Sequence, residues 1–322
     1  MKLPELKIGR FTAKYPIIQG GMSVRNSMAP LAAAVANAGG IGIIGGSGIE
    51  PEEAIAEVKK AKALLTNPNG IIGINIMFAI SKFFEVVNAS IDAGVDMIFT
   101  GAGFSRDVFK IGQERNVPIV SIVSSDKFGK LAEKMGAAAV VVEGAEAGGH
   151  LGTMRSIKDI FPEVRAVVKS IPVIAAGGIM TGADIVEFIR DFKADGVQMA
   201  TRFVVAEECG VANAYKEMYL NATKEQVINI ESPVGMPGRA LRNPFTDRLA
   251  AGDPPPVHCP YQCLRSCSHV YCIIEALLNA QEGRVDEGLV FTGANVWKLK
   301  GKKIQPAGEI MKELVAEAEA VK

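Results

Sequence analysis

The sequence predicts an α/β protein, a TIM (β/α)8 barrel followed by a C-terminal helical, cysteine-containing extension. Eight short apolar segments recur between residues 15 and 203, with turn glycines and prolines between them. These segments are continuously apolar rather than alternating, which is typical of parallel strands covered by helices on both faces. Eight βα units in series fit a closed barrel better than a doubly wound sheet, which usually has fewer strands.

The predicted elements follow one another in a regular order. The strands are Tyr15–Met22, Gly39–Gly46, Ile71–Phe78, Asp96–Gly103, Val117–Ser124, Ala137–Gly149, Ile171–Gly178 and Gly196–Phe203. Amphipathic spacing predicts helices between them over Pro51–Leu65, Phe83–Ala93, Asp126–Met135 and Thr181–Phe192. Several strands end in glycine, so we expect small residues at the carboxyl face, where barrel enzymes carry their active sites.

The rhythm changes after Arg202. We predict a barrel domain over residues 1–225 and a C-terminal extension over residues 226–322, packed on the barrel. Helices are predicted over Val204–Ala222, Cys272–Glu282 and Ala307–Val321, whereas Ile230–Pro256 is rich in glycine and proline and shows no clear period.

Composition limits the partners of this chain. Its 322 residues include 35 Lys and Arg against 35 Asp and Glu, so no basic surplus favours nucleic acid or an acidic membrane. The N-terminus lacks the apolar core of a secretory signal, which predicts a cytoplasmic protein. A small-molecule substrate is expected, and the oligomeric state, a homodimer included, is left open.

Two segments predict a phosphate site. Ala175–Gly178 follows the seventh strand, and Gln198–Arg202 follows the eighth. In (β/α)8 barrels these two loops commonly hold a phosphate, because glycines let backbone N–H groups approach its oxygens. An isolated Gly-Gly pair is usually only a tight turn, but its position after strand seven favours a cofactor phosphate.

His150 is the candidate catalytic residue. It is one of three histidines and directly follows the segment Glu143–Gly149 at the end of the sixth strand. A lone histidine is more often structural. At the mouth of a barrel, beside a cofactor site, an imidazole is well placed to act as a general acid or base at neutral pH.

Six segments match one known family in the family's order. They are Tyr15–Met22, Gly39–Gly42, Gly73–Asn75, Glu143–Gly152, Pro172–Ile179 and Gln198–Phe203. Together they resemble the FMN-dependent nitronate monooxygenase (2-nitropropane dioxygenase) family, which includes FMN-type enoyl-acyl-carrier-protein reductases. The resemblance covers about the first 220 residues.

This resemblance implies a TIM barrel with FMN at its mouth and His150 in the catalytic histidine position. It implies that Gly20, Gly21, Met22 and Asn75 flank the isoalloxazine ring, that Glu143 and Gly149 border the ribityl chain, and that Gly177, Gly178, Ala200 and Thr201 hold the phosphate. Gly148 and Gln198 are further candidate cofactor-binding residues. Residue chemistry agrees, since a flavin needs neutral hydrogen-bonding edges such as Gln19 and Asn75 and a dry wall such as Met22 and Met77. The two methionines could equally be ordinary core.

Two reactions could use the same flavin site and the same histidine. In a nitronate oxidase, His150 would accept the carbon-bound proton of a nitroalkane or hold the nitronate. In an enoyl reductase supplied with NAD(P)H, His150 would protonate the α-carbon. The chain has no Rossmann fingerprint, so NAD(P)H would visit only transiently. A non-catalytic flavin sensor is the remaining alternative.

Four cysteines crowd into the extension with the spacing C-x3-C-x3-C-x4-C: Cys259, Cys263, Cys267 and Cys272. If Pro260 opens a helix, the first three lie near one face and the fourth can close the set. Four thiolates suit a [4Fe–4S] cluster or tetrahedral zinc, and the absence of C-x2-C pairs favours iron–sulfur. The alternative is four thiols packed as small apolar residues, or a disulfide pair.

Overall fold

A computed structural model describes residues 1–321, and Lys322, the last residue of the predicted extension, lies outside the described residues. The strands are β1 (Leu6–Ile8), β2 (Phe11–Ala13), β3 (Ile17–Gln19), β4 (Ile41–Gly45), β5 (Ile71–Met77), β6 (Met97–Gly101), β7 (Ile119–Val123), β8 (Ala139–Glu143), β9 (Gly149–His150), β10 (Val173–Ala176), β11 (Gly196–Met199), β12 (Val227–Glu231) and β13 (Pro237–Leu241).

The helices alternate with the strands. They are α1 (Ala29–Asn37), α2 (Pro51–Ala63), α3 (Phe83–Asp92), α4 (Arg106–Glu114), α5 (Asp126–Lys134), α6 (Ile157–Val167), α7 (Gly182–Val186), α8 (Thr201–Val204), α9 (Asn213–Leu220), α10 (Pro244–Ala250), α11 (Ile273–Gln281) and α12 (Ala307–Ala320). None of the helices in residues 1–321 combines the length and the apolar character that a membrane span requires.

Eight strands close into a barrel, which confirms the predicted fold class. Strands β3 to β8 pair in sequence, β10 and β11 follow, and β11 pairs with β3, every pair being parallel. The strands read as apolar runs because both faces are buried: one lines the barrel interior and the other packs on the surrounding helices. The hairpin β1–β2 places Leu6 and Ile8 among the interior side chains.

Local signals set the helix starts. Pro51 opens α2 with Glu52 and Glu53 in its first turn, where acidic side chains complement the helix dipole. Thr181 and Asp184 form a capping box on α7, which continues as a π-helical turn over Glu187–Asp191. The helix predicted over Thr181–Phe192 therefore forms with a change of period inside it.

The chain after the last barrel strand differs from the prediction in two places. The helix predicted over Val204–Ala222 is interrupted, since α8 ends at Val204 and α9 begins at Asn213. The stretch Ile230–Pro256 contains the last two residues of β12 and all of β13 and α10, which its glycines and prolines concealed. The helices predicted over Cys272–Glu282 and Ala307–Val321 form as α11 and α12.

A small sheet joins the C-terminal part to the barrel. Strand β13 pairs with β12 on one side and with β9 on the other, and β9 is the short strand that contains His150. The backbone of the candidate catalytic residue is therefore hydrogen-bonded into a sheet whose other two strands follow the barrel in sequence.

Candidate active site

A cleft of about 520 Å³ opens at the carboxyl ends of the barrel strands. The structure brings every predicted cofactor-binding residue and the predicted catalytic histidine to its walls. These are Gly20, Gly21, Met22, Asn75, Glu143, Gly148, Gly149, His150, Gly177, Gly178, Gln198, Ala200 and Thr201. Segments that are far apart in sequence thus form one site, while the role of each residue stays a prediction.

At one end of the cleft the walls are mostly backbone. Gly177 and Gly178 have φ values of +107° and +73°, a region that favours glycine. The Gly293 N–H donates to Thr201 Oγ1 over 3.2 Å, and a Cβ on Gly293 would lie 2.6 Å from that oxygen. Asn295 holds the Gly178 carbonyl over 2.7 Å. Side chains are therefore kept out of a cradle that presents backbone groups.

The middle of the cleft has a polar atom without a partner. Asn75 Oδ1 is buried and accepts no hydrogen bond from residues 1–321, which is costly unless a ligand supplies a donor. Gln19, which we also expected at a flavin edge, has a structural role instead. Its side chain is fully buried and exchanges two hydrogen bonds with the backbone of Ile43, at 3.1 and 3.2 Å.

Glu143 is a carboxyl group with perturbed acidity. It ends β8 and faces the cleft. Burial raises its pKa from the usual 4.5 to about 7, because a low-dielectric site disfavours the charged form. Near neutral pH this side chain is therefore shared between its acid and its carboxylate, and it can donate or accept a hydrogen bond.

His150 has a specific partner. Its Nε2 lies 2.7 Å from Ser232 Oγ, and Ser232 is itself only 7% exposed. Burial lowers the pKa of His150 from 6.5 to about 4, so the imidazole is neutral at physiological pH. A neutral imidazole has one nitrogen free to accept a proton, which favours the role of base over that of acid.

Three residues from the C-terminal part hold His150 and its loop in place. Ser232 contacts the ring, and the Phe291 ring packs edge-on against it with centroids 5.1 Å apart. Arg239 Nη1 donates to the carbonyls of Ala145 and, over 2.9 Å, Ala147. We call Ser232, Arg239 and Phe291 the extension wall, and the residues from the barrel loops the barrel wall: Gly20–Met22, Asn75, Gly177, Gly178, Ala200 and Thr201.

Two buried tyrosines hold the backbone carbonyl of Phe291. The hydroxyls of Tyr215 and Tyr219 both donate to its carbonyl, the former over 3.3 Å, and their rings stack 5.4 Å apart. Two donors on one carbonyl leave the Phe291 backbone little freedom, so its ring is a rigid support for the imidazole.

The predicted metal centre is not supported. Within residues 1–321 no three His, Cys, Asp or Glu side chains are arranged so that they could hold a metal ion. The helix that was to align Cys259, Cys263 and Cys267 does not form, and residues before Ile273 in this segment are turns and extended chain. The [4Fe–4S] and zinc predictions depended on that helix.

The predicted cysteine helix does not form because the backbone of this segment makes hydrogen bonds to another loop. Its carbonyl and N–H groups pair with the loop after β5: Ser81 N–H donates to the Cys263 carbonyl and Arg265 N–H to the Ala79 carbonyl, each over 3.0 Å. Of the four cysteines, only Cys263 lines the cleft. Burial and then the neighbouring Cys272, Cys259 and Cys267 thiols raise its pKa to about 11.

Sequence reasoning missed the extension wall. Ser232, Arg239 and Phe291 belong to no motif, and Ser232 lies 82 positions from the imidazole it contacts. The one available signal was the alternating strand over residues 227–231, hidden beside a glycine-rich stretch.

Comparisons with known proteins show the family and the fold of the chain. The sequence model of a family described as nitronate monooxygenase matches residues 4–80 and 71–317 of the chain. The match extends well beyond residue 220, so it includes the segments that supply the extension wall.

Two curated relatives and one solved structure are similar to the chain. A (3aS,4S,5R,7aS)-5-hydroxy-7a-methyl-1-oxo-octahydro-1H-indene-4-carboxyl-CoA dehydrogenase of Mycobacterium tuberculosis is 30% identical, over 74% of this chain and 66%, just under two thirds, of the relative. A probable nitronate monooxygenase of Staphylococcus saprophyticus is 27% identical, over 77% of this chain and 81% of the relative. FabK from Thermotoga maritima superposes with a TM-score of 0.81 at 27% identity, over 95% of this chain and 93% of that one.

Proposed function

The chain belongs to the nitronate monooxygenase family, and from this premise we propose that it is an FMN-dependent oxidoreductase that oxidises nitroalkanes as their nitronates, with His150 as the acid–base residue. The observation that carries the proposal is the neutral, half-buried imidazole at the wall of the cleft, held through Nε2 by Ser232.

The residues of the cleft fit FMN. The cradle at Gly177 and Gly178 leaves room for a phosphate beside backbone donors, and the unpartnered Asn75 Oδ1 can accept from a ring N–H. Met22 and Met77 give an apolar edge at the same wall. When bound, FMN supplies the electron-transfer chemistry that side chains cannot offer.

The side chains then have a defined task. His150 accepts the carbon-bound proton of the nitroalkane, and the electron pair of the broken C–H bond stays on the substrate, which becomes the nitronate anion. The imidazolium faces that anion, and this opposite charge offsets the burial that otherwise disfavours a charged His150. The ring edge of Phe291 keeps water from one side of the imidazole.

Reduction of an enoyl thioester with NAD(P)H as the transient reductant is the second candidate. Its support is the similarity to FabK and the apolar residues Leu264, Ile274 and Leu277 that line the cleft, which suit an acyl chain. The relative from Mycobacterium tuberculosis is likewise named for a CoA thioester.

An anaerobic spectroscopic titration separates the candidates. The purified protein is loaded with FMN, and the flavin absorbance is followed after addition of 2-nitropropane, of its nitronate, or of NADH and NADPH. Bleaching by the nitro compounds and not by the nicotinamides is the expected result. Bleaching by a nicotinamide, with reoxidation by crotonyl-CoA, would replace it with the enoyl reductase, and failure to retain FMN would refute both.

A further inference from the structure

An apolar surface starts beside His150 and lies within the same cleft. One hydrophobic cluster contains Val24, Ile273 and Ile274, and all three line the cleft. Phe291 packs against this cluster and also contacts the His150 imidazole edge-on. The candidate base therefore stands next to a continuous apolar surface that a hydrocarbon chain can cover.

The cysteine segment supplies the remaining part of this surface. Cys263 and Leu264 are half-buried, pack against the same cluster and line the cleft. Leu264 also forms an antiparallel bridge with Ile80, a further residue of the cleft wall. We call residues 262–265 the strap. The apolar pocket is the surface formed by Val24, Cys263, Leu264, Ile273, Ile274 and Phe291.

Four hydrogen bonds hold the strap to the loop after β5. Ser81 donates from its N–H and its Oγ to two strap carbonyls, over 3.0 and 2.8 Å. Arg265 donates back from its N–H and its Nε to the carbonyls of Ala79 and Ile80, over 3.0 and 3.1 Å. The Arg265 guanidinium also lies 4.3 Å from the centroid of the Phe78 ring. With its neighbours held on both sides, the backbone of the strap has little freedom.

A further contact attaches the same segment to the extension. The Ser268 N–H donates to the Pro233 carbonyl over 3.1 Å. Pro233 directly follows Ser232, whose Oγ lies 2.7 Å from Nε2 of His150. The segment therefore connects the loop after β5 with the extension wall, and its two cleft residues close the apolar pocket.

We propose that Leu264 is a specificity-determining residue: the apolar pocket takes the alkyl chain of the substrate while the reacting carbon lies at His150, and Leu264 limits the length of that chain. The preferred substrates are then nitroalkanes with straight chains longer than that of 2-nitropropane. This inference deepens the proposed function and rests on it for the reacting group. Burial of each methylene should improve affinity about fourfold until the chain reaches Leu264.

Binding of unreactive analogues tests the pocket without turnover. Straight-chain carboxylates from acetate to decanoate carry a planar anionic group, as a nitronate does, and are titrated into the FMN-loaded protein by calorimetry. We expect the Kd to fall about threefold to fourfold for each added methylene and then to level off. A Kd that does not depend on chain length would overturn the proposal.

Two substitutions of Leu264 should shift this profile in opposite directions. Leu264→Ala removes most of the side chain, so the Kd should level off about two methylenes later, whereas Leu264→Phe should make it level off earlier. Leu249→Ala is the matched control, because Leu249 is half-buried against the same cluster but does not line the cleft. Opposite shifts cannot come from a loss of stability, which would weaken binding of every chain length in both variants.

Kinetics connect the pocket with the proposed reaction. In the unchanged protein kcat/KM should rise at least about tenfold from nitroethane to 1-nitrohexane. Leu264→Ala should leave kcat/KM for 2-nitropropane, which is too short to depend on the strap, within about twofold. The same carboxylate profile in Leu264→Ala, Leu264→Phe and the unchanged protein would refute the role of Leu264. Absence of all nitroalkane oxidation, with the expected carboxylate profiles present, would instead refute the proposed function and leave the pocket intact.

Discussion

The barrel wall and the extension wall meet in one cleft but are built differently. The barrel wall offers backbone groups from turns that directly follow the strands, and glycine is the residue that such turns require. The extension wall offers side chains from strands and loops that reach His150 only through tertiary structure. Cofactor retention should therefore depend on the barrel wall and proton transfer on the extension wall.

The largest effect on the barrel wall is expected from Gly178→Ala. At φ +73° a Cβ would be strained and would lie 3.0 Å from Glu146 Cβ and 3.1 Å from Asn295 Nδ2. We expect the Kd of FMN, measured by fluorescence quenching, to rise roughly tenfold to a hundredfold. Gly252 has the same φ with nothing within 4 Å, so Gly252→Ala carries the same backbone strain without the cradle. Equal losses in both variants would argue against a phosphate cradle.

On the extension wall, Arg239→Met should lower turnover rather than FMN affinity. Loss of the two bonds from Nη1 releases the loop before His150, so kcat/KM for 2-nitropropane should fall about tenfold while the Kd of FMN changes little. Arg242→Met, at an exposed ion pair with Asp247, is the matched control. Steady-state kinetics and FMN titration are measured on the same samples. A large loss of FMN affinity in Arg239→Met would contradict the assignment of cofactor retention to the barrel wall alone.

Opposite pH signatures should separate Glu143 from His150. The pKa of Glu143 is raised to about 7, so the folded state binds its proton more tightly and stability falls as pH rises from 4.5 through 7. The pKa of His150 is lowered to about 4, so stability falls as pH drops from 6.5 toward 4.

Urea unfolding at one saturating FMN concentration measures this difference. At pH 8 the free energy of unfolding of Glu143→Gln should exceed that of the unchanged protein by on the order of 1 to 3 kcal/mol, and at pH 4.5 the two should be equal. His150→Gln should have a higher free energy of unfolding than the unchanged protein at pH 4.5 but not at pH 8. The same pH profile in both variants would contradict the burial of one of the two groups.

The smallest effect on catalysis is expected in the cysteine segment. Cys259 is exposed, whereas burial and neighbouring thiols raise the pKa of Cys263 to about 11. Iodoacetamide at pH 8 should therefore modify Cys259 at least about tenfold faster than Cys263. Mass spectrometry of timed samples follows both, and Cys259→Ser should leave turnover unchanged. Joint protection of all four cysteines, removed by a chelator, would instead show that a metal is bound.

The same contrast explains what the sequence could predict. The eight strands, the glycine turns and His150 are legible because parallel strands and close backbone approach each demand particular residue types at particular positions. Ser232 and Phe291 are ordinary residues whose importance arises from the pairing of β13 with β9. The cysteine helix was wrong because that backbone bonds to the loop after β5, a competition that no local pattern reveals.

One measurement tests most directly whether His150 on its extension support is the base of the reaction. FMN-loaded His150→Gln is mixed without oxygen with 2-nitropropane and, separately, with its nitronate, and the loss of flavin absorbance is timed. We predict a rate at least about 100-fold lower with 2-nitropropane, a rate within a few-fold of the unchanged protein with the nitronate, and an unchanged Kd of FMN. Equal losses with both substrates, or no loss with either, would contradict the account.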